Sequence, residues 1–121
     1  NVEDVLTAMG DELACVVGFY SYNTPRIYEA FKEAGVLGKI KIIGFDEDPI
    51  TLGGIQEGVI EGTVVQQPFE WGYQGMKLMA AYVNGDKSGI PADGLIIVPG
   101  KVIDKSNVEE FSKMMQAIMG K

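Results

Sequence analysis

The feature that most constrains the fold is the alternation of short apolar runs with helical stripes along the whole chain. Residues 14–19 form a nearly continuous apolar run, the pattern of a strand covered on both faces of a parallel sheet. Further strands are predicted at 39–45, 62–66 and 95–98, with helical stripes at 2–9, 27–34, 50–56, 71–83 and from 108 onward. This alternation predicts an α/β fold, a three-layer α/β/α arrangement around a mostly parallel sheet.

Length and charge narrow the class of protein further. A chain of 121 residues has the size of one ordinary domain. Its net charge of −7, without any cluster of Lys or Arg, excludes nucleic acid as an expected partner. Cys15 lies in the first apolar run and is predicted to be a small buried hydrophobic residue. No apolar stretch is long enough to span a membrane, and no signal peptide is recognised in this chain, which leaves export open.

Polar and aromatic side chains follow three of the predicted strands, where ligands of parallel sheets gather. Tyr20 and Asn23 come after the first strand, Asp46 after the second and Gln66 after the third. Carboxylates and amides can bond sugar hydroxyls, and an aromatic ring can cover the apolar C–H face of a sugar. Together these residues suit a neutral, polyhydroxylated ligand.

Each of these residues also has a purely structural interpretation. Asp46 could be only a turn former or a helix N-cap, the two tyrosines of the segment could be rim packing, and Asn23 reads as the N-cap of a helix that begins near Pro25. Gln66 has no local capping role, so it is the strongest single candidate for ligand contact.

The sequence contains few signs of a catalytic site, a metal site or a cofactor site. There is no His, no Gly-x-Ser-x-Gly motif and no nucleotide-binding glycine loop. The acidic segment that starts at Asp46 lacks the spacing of a calcium loop. A phosphoacceptor receiver domain would need an acidic pair after the first strand, which is absent here. We therefore expect a protein that is not an enzyme, with no catalytic residues, no cofactor and no metal.

Three ordered motifs resemble the ribose-binding-protein-like branch of the periplasmic sugar-binding proteins. They are Ile42-Ile43-Gly44-Phe45-Asp46, the segment 58–68 that ends in Gln66-Gln67-Pro68, and the pair Gly72 and Gly75. The resemblance covers essentially the whole chain. It implies that Asp46 and Gln66 bond sugar hydroxyls. The family's Asn-Asp after the first strand is replaced here by Tyr20-Ser21-Tyr22-Asn23, which leaves Tyr20 or Asn23 to take over that contact.

The same resemblance implies a two-lobed topology in which this chain is a C-terminal portion. Residues 1–66 and 96–121 would form the C-terminal lobe, and residues 67–95 would cross into the absent N-terminal lobe. The crossing segments would act as a hinge, formed by Gln67 and Pro68 on one side and by Val98 and Pro99 on the other.

The expected function is non-catalytic binding of a monosaccharide or related polar ligand, as the substrate-binding component of a bacterial ABC sugar transporter. The expected partners are the sugar, the missing lobe, the membrane permease and, for the isolated fragment, a domain-swapped second copy. The expected location is periplasmic or extracellular. Two alternatives stay open: the effector domain of a lactose-repressor-like regulator, and a periplasmic sugar sensor for a chemoreceptor or kinase.

Overall fold

The computed structural model describes residues 1–120, without the side chains of Asp11 and Met119. Helices and strands alternate within this part of the chain. They are α1 (Val2–Met9), a 3₁₀ turn (Gly10–Glu12), β1 (Cys15–Val17), α2 (Asn23–Glu33), β2 (Lys41–Phe45), α3 (Pro49–Glu57), β3 (Gly62–Val65), α4 (Pro68–Val83), β4 (Lys101–Asp104) and α5 (Val108–Met119). The predicted α/β alternation is therefore confirmed.

The strands form one sheet in the order β1-β2-β3-β4. The pairs β1–β2 and β2–β3 are parallel, with Val16 opposite Ile42 and Gly44 opposite Thr63. The carboxyl ends of these three strands therefore lie at the same edge of the sheet, as the sequence predicts.

One face of the sheet carries the hydrophobic core. Along β2 the buried Ile42 and Gly44 alternate with the exposed Lys41 and Ile43, the period of two that a strand imposes on its side chains. Ile42 lies in a cluster with Phe31 of α2 and Ile55 of α3, and all three are fully buried. Burying a side chain of this size contributes about 1.5–3 kcal/mol. This core fixes the helices that begin beside the strand ends.

The first strand differs from its prediction. Cys15 and Val17 are exposed, and only Val16 packs against the core. The expectation of a strand covered on both faces, and of a buried Cys15, is therefore wrong. Cys15 and Val17 lie opposite Lys41 and Ile43 of β2, which are also exposed, so the outward face of these two strands has no covering element within residues 1–120.

The fourth strand also lies elsewhere than predicted. Residues 95–98 have no regular secondary structure, and Leu95 and Ile97 are 60% and 75% exposed. The strand forms instead at Lys101–Asp104, beyond Pro99, where Ile103 is 3% exposed. Apolar composition indicated a strand at 95–98, but a strand also needs a neighbour to pair with, and β3 pairs with the later segment.

Two glycines at the carboxyl ends of β1 and β2 allow close packing of Thr24. A methyl group at Gly18 would lie 2.6 Å from Thr24 Oγ1, and one at Gly44 would lie 2.8 Å from the same atom. Thr24 and Thr51 are fully buried, and their hydroxyls have no hydrogen-bond partner within the described part of the chain. The first turns of α2 and α3 are thus held tightly against the strand ends.

The chain divides into two compact units. The first contains Asn1–Val65 together with the chain from Val102 onward. The second, Gln66–Lys101, consists of α4 and an irregular segment that folds back on it, since Leu78 approaches Gly89 closely. Across residues 1–120, none of the helices combines the length and the apolar content that spanning a membrane requires.

Candidate functional site

The turn after β1 is fixed by two reciprocal hydrogen bonds. The backbone N–H of Tyr20 donates to Asn23 Oδ1 at 3.1 Å, and the N–H of Asn23 donates to the carbonyl oxygen of Tyr20 at 2.9 Å. Asn23 is the first residue of α2, and the N-cap is Tyr22, whose side chain makes no capping bond. The prediction that Asn23 caps the helix is therefore wrong, because its side chain closes the preceding turn instead.

Three aromatic side chains are exposed at this turn. Phe19, Tyr20 and Tyr22 are 67%, 61% and 66% exposed. The rings of Tyr20 and Tyr22 are parallel within 3°, with centroids 5.6 Å apart. Phe19 stacks on Phe45, the last residue of β2, at a centroid distance of 5.6 Å. Aromatic surface therefore extends from the end of β1 to the end of β2.

Asp46 follows β2 directly and has an unusual backbone conformation. Its φ of 67° lies in the left-handed region, where Asp and Asn are the most tolerated residues after glycine. Its N–H donates to the carbonyl oxygen of Val64 at 2.9 Å, and its own carbonyl oxygen accepts from Thr63 Oγ1 at 2.8 Å. Both bonds tie this half-buried residue to β3, so the direction in which its side chain leaves the backbone is well defined.

The neighbouring carboxylates have separate roles. Asp48, and not Asp46, caps α3, because its Oδ1 accepts from the N–H of Ile50 at 2.8 Å. The capping interpretation of Asp46 is thereby excluded. The pKa of Glu47 is raised above its ordinary value, first by partial burial and second by the negative charge of Asp46. The turn thus concentrates negative charge beside the end of β2.

Gln66 follows β3 along the chain and is exposed. It begins the second unit, in which Gln67 precedes α4 and Pro68 is the first residue of that helix. Gln67 Nε2 donates to the carbonyl oxygen of Pro99 at 2.6 Å. The two predicted hinge segments, 67–68 and 98–99, are thus joined by a hydrogen bond, and Val98 is half-buried between exposed neighbours. Their role as a hinge stays a prediction.

Within the first unit, Tyr20, Asn23 and Asp46 lie at the carboxyl ends of the neighbouring strands β1 and β2, the edge that the sequence predicts. The sequence did not reveal the aromatic contact between Phe19 and Phe45. The only available signal was the position of both residues at ends of adjacent parallel strands. It also missed the bond between Asn23 and Tyr20, because an Asn before a helix usually reads as its cap.

The side chains at this edge have the chemistry that a sugar requires of its binding site. The edge combines a carboxylate acceptor, an amide and two aromatic faces, which suit hydroxyls and the C–H face of a sugar ring. In the described residues, no group of three or more His, Cys, Asp or Glu side chains is arranged to hold a metal ion.

Solved structures of sugar-binding proteins share this fold. The periplasmic binding protein component of the arabinose ABC transporter from Shewanella sp. ANA-3, bound to L-arabinofuranose, matches 98% of this chain with a TM-score of 0.80 and 27% identity. A glucose-galactose binding protein from Geobacillus stearothermophilus matches 88% with a TM-score of 0.75 and 29% identity. An ABC transporter solute binding protein from Agrobacterium vitis with bound D-fucose matches 90% with a TM-score of 0.74 and 28% identity.

The chain spans 39%, 36% and 36% of the length of these three proteins, respectively. No curated protein sequence matches it significantly. The fold is an α/β domain with polar side chains at the carboxyl ends of neighbouring parallel strands. The model of the periplasmic binding protein domain matches residues 1–87, and the chain belongs to that family.

Proposed function

We propose that this chain forms one wall of a sugar-binding cleft in the solute-binding component of a bacterial ABC transporter. The observation that carries the proposal is Asp46, whose backbone is fixed to β3 and which directly follows Phe45, the residue on which Phe19 of the aromatic turn stacks. A carboxylate can accept two sugar hydroxyls at once, and the adjoining rings can cover a C–H face. The sugars bound by the similar proteins support this ligand class.

Four residues are proposed to carry recognition. Asp46 and Gln66 bond sugar hydroxyls, and Tyr20 supplies an aromatic face. Asn23 uses Oδ1 to fix the N–H of Tyr20, which leaves its Nδ2 as the group that donates to a sugar oxygen. Tyr20 and Asn23 therefore act together in this proposal, one through its ring and the other through its amide.

The remaining parts of the proposal concern the whole protein. Residues 67–95 enter a second lobe that supplies the opposite wall, and closure occurs about Gln67, Pro68, Val98 and Pro99. The bond between Gln67 and Pro99 supports a hinge, because it joins the two proposed crossing segments. The protein is not an enzyme, it acts in the periplasm or outside the cell, and it delivers its sugar to a permease.

The test is calorimetric titration of the complete two-lobed protein with pentoses and hexoses, using Asp46→Asn and Gln66→Ala. Asn tolerates the left-handed backbone of Asp46, so the first variant removes charge without adding strain. Each variant should lose about 1–3 kcal/mol of binding free energy, about a 5-fold to 150-fold rise in Kd, because buried hydroxyls lose their partners.

The matched control is Glu110→Gln, which removes one negative charge from the exposed surface of α5. Its Kd should equal that of the parent. Unchanged affinity in both site variants, or an equal loss in the control, would contradict the assignment.

A further inference from the structure

The aromatic turn has more exposed ring surface than the proposed contact through Tyr20 requires. Phe19, Tyr20 and Tyr22 are all more than 60% exposed, although side chains of this type usually bury most of their surface. Tyr22 is also the N-cap of α2 without any capping bond from its side chain. Neither core packing nor the helix start accounts for an aromatic residue at this position.

Tyr20 and Tyr22 together form one exposed aromatic surface, in which the two rings are parallel but displaced from each other. Their rings are parallel within 3°, and the centroid distance of 5.6 Å is larger than a face-to-face contact, so the rings are displaced sideways from each other. Part of each ring face is therefore left for a third partner. The turn beneath them is held by the hydrogen bonds between Tyr20 and Asn23, so the surface is fixed before a ligand arrives.

One aromatic contact connects the turn that carries this surface with the strand that precedes the acidic turn. Phe19, the residue before Tyr20, stacks on Phe45, the residue before Asp46. This contact joins the loop of β1 to the loop of β2 through two adjacent ring planes inclined by 30°. Tyr20 and Asp46 are thus the residues that directly follow a pair of stacked phenylalanines, and both belong to the first unit.

We infer that the Tyr20–Tyr22 pair selects cyclic sugars over open-chain polyols, with Tyr22 as a specificity-determining residue; this rests on the proposed function. A pyranose or furanose ring presents several C–H groups on one side, which an aromatic face can cover. An open-chain alditol offers the same hydroxyls to Asp46, but it has no closed ring face. Hydrogen bonding alone would accept both ligands, so the discrimination comes from the stacked rings.

The experiment uses the complete protein and a matched ligand pair: the sugar that binds tightest in a panel of pentoses and hexoses, and the alditol obtained from it by reduction. Tyr22→Ala should raise the Kd of the cyclic sugar about threefold to tenfold, which corresponds to about 0.6–1.4 kcal/mol, because the sugar ring loses an aromatic face that covers its C–H groups. The Kd of the alditol should stay unchanged. Tyr22→Phe should retain the parent's preference, because the ring face and not the hydroxyl carries it.

The outcomes separate the two proposals. If the parent binds no sugar in the panel, the proposed function fails. If the parent binds sugar but Tyr22→Ala weakens the sugar and the alditol equally, or neither, then only the aromatic selection is overturned. The melting temperature of the isolated 121-residue chain serves as the folding control. Because Tyr22 is exposed, both variants should have the same melting temperature as the parent.

Discussion

Gly44 shows at the scale of a single residue why a glycine stands one position before the end of β2. A methyl group there would lie 2.8 Å from Thr24 Oγ1 and 3.2 Å from Thr51 Cγ2, which are both side-chain atoms of fully buried residues. The two threonines belong to the first turns of α2 and α3, so Gly44 lets both helices start against the strand. Its absent side chain is thus a packing requirement.

We therefore expect Gly44→Ala to lower the free energy of unfolding by about 1–3 kcal/mol, because an overpacked site forces its neighbours apart. Urea denaturation of the chain measures the change. Gly53→Ala is the matched control, since no atom lies within 4 Å of the added methyl in α3. The control should be neutral or gain up to about 1 kcal/mol from helix propensity. Equal stability of the Gly44 variant and the parent would refute the packing argument.

At the scale of elements, the acidic turn between β2 and α3 carries two carboxylates that have opposite effects on stability. Asp48 stabilises the first turn of α3 as its cap, whereas Glu47 is held partly buried beside the Asp46 carboxylate. The cap favours folding, and the crowding of Glu47 opposes it. A turn that carries unfavourable charge next to a candidate binding residue is a usual property of functional sites.

Glu47→Gln should consequently stabilise the chain in a way that depends on pH. The pKa of Glu47 is higher in the folded state than its ordinary value. The free energy of unfolding therefore falls as the pH rises from the ordinary pKa to the raised pKa, because the ionised form of Glu47 is disfavoured in the folded state. The variant should be more stable than the parent at neutral pH, and the difference should vanish below the ordinary titration range of glutamate. Urea denaturation across this range measures it, and a difference that is constant with pH would contradict the prediction.

The elements also show which parts of the fold the sequence could predict. Periodicity located α1, α3 and the strands β2 and β3 well, because burial of one face enforces a regular pattern. It failed at residues 95–98 and at Cys15, since an apolar run does not reveal which segment pairs with β3 or which face of the sheet is covered. The candidate site was predictable as positions at strand ends. The turn geometry of Asn23 and the aromatic stacking depend on tertiary contacts, which periodicity does not contain.

At the scale of the whole molecule, the chain supplies one wall of the proposed cleft. Ligand sites in proteins enclose most of the ligand surface, and a single wall covers only one side. The second unit also has large exposed apolar residues, with Phe69, Met76 and Val83 of α4 being 80%, 65% and 79% exposed. They fit the proposed burial of α4 in a second lobe, and in the isolated chain they favour a swapped dimer, which stays a prediction.

The isolated chain should therefore bind sugar at least about 100-fold more weakly than the complete protein, because it lacks the partners of the opposite wall. Calorimetric titration of both proteins with the same sugar panel tests this. The complete protein is the positive control, and micromolar affinity of the isolated chain would show that one wall is sufficient. Size-exclusion chromatography of the same sample reports on the swapped dimer, and a single monomer peak would count against it.

The left-handed backbone of Asp46 limits how this site can change during evolution. A φ of 67° admits Gly, Asn and Asp with little strain, whereas a β-branched or bulky residue would add to the cost of folding. Of the tolerated replacements, only Asn keeps a side-chain oxygen that accepts hydrogen bonds. Changes in ligand specificity are therefore expected at the aromatic turn rather than at Asp46, because the exposed Tyr20 and Tyr22 can be substituted without altering the core.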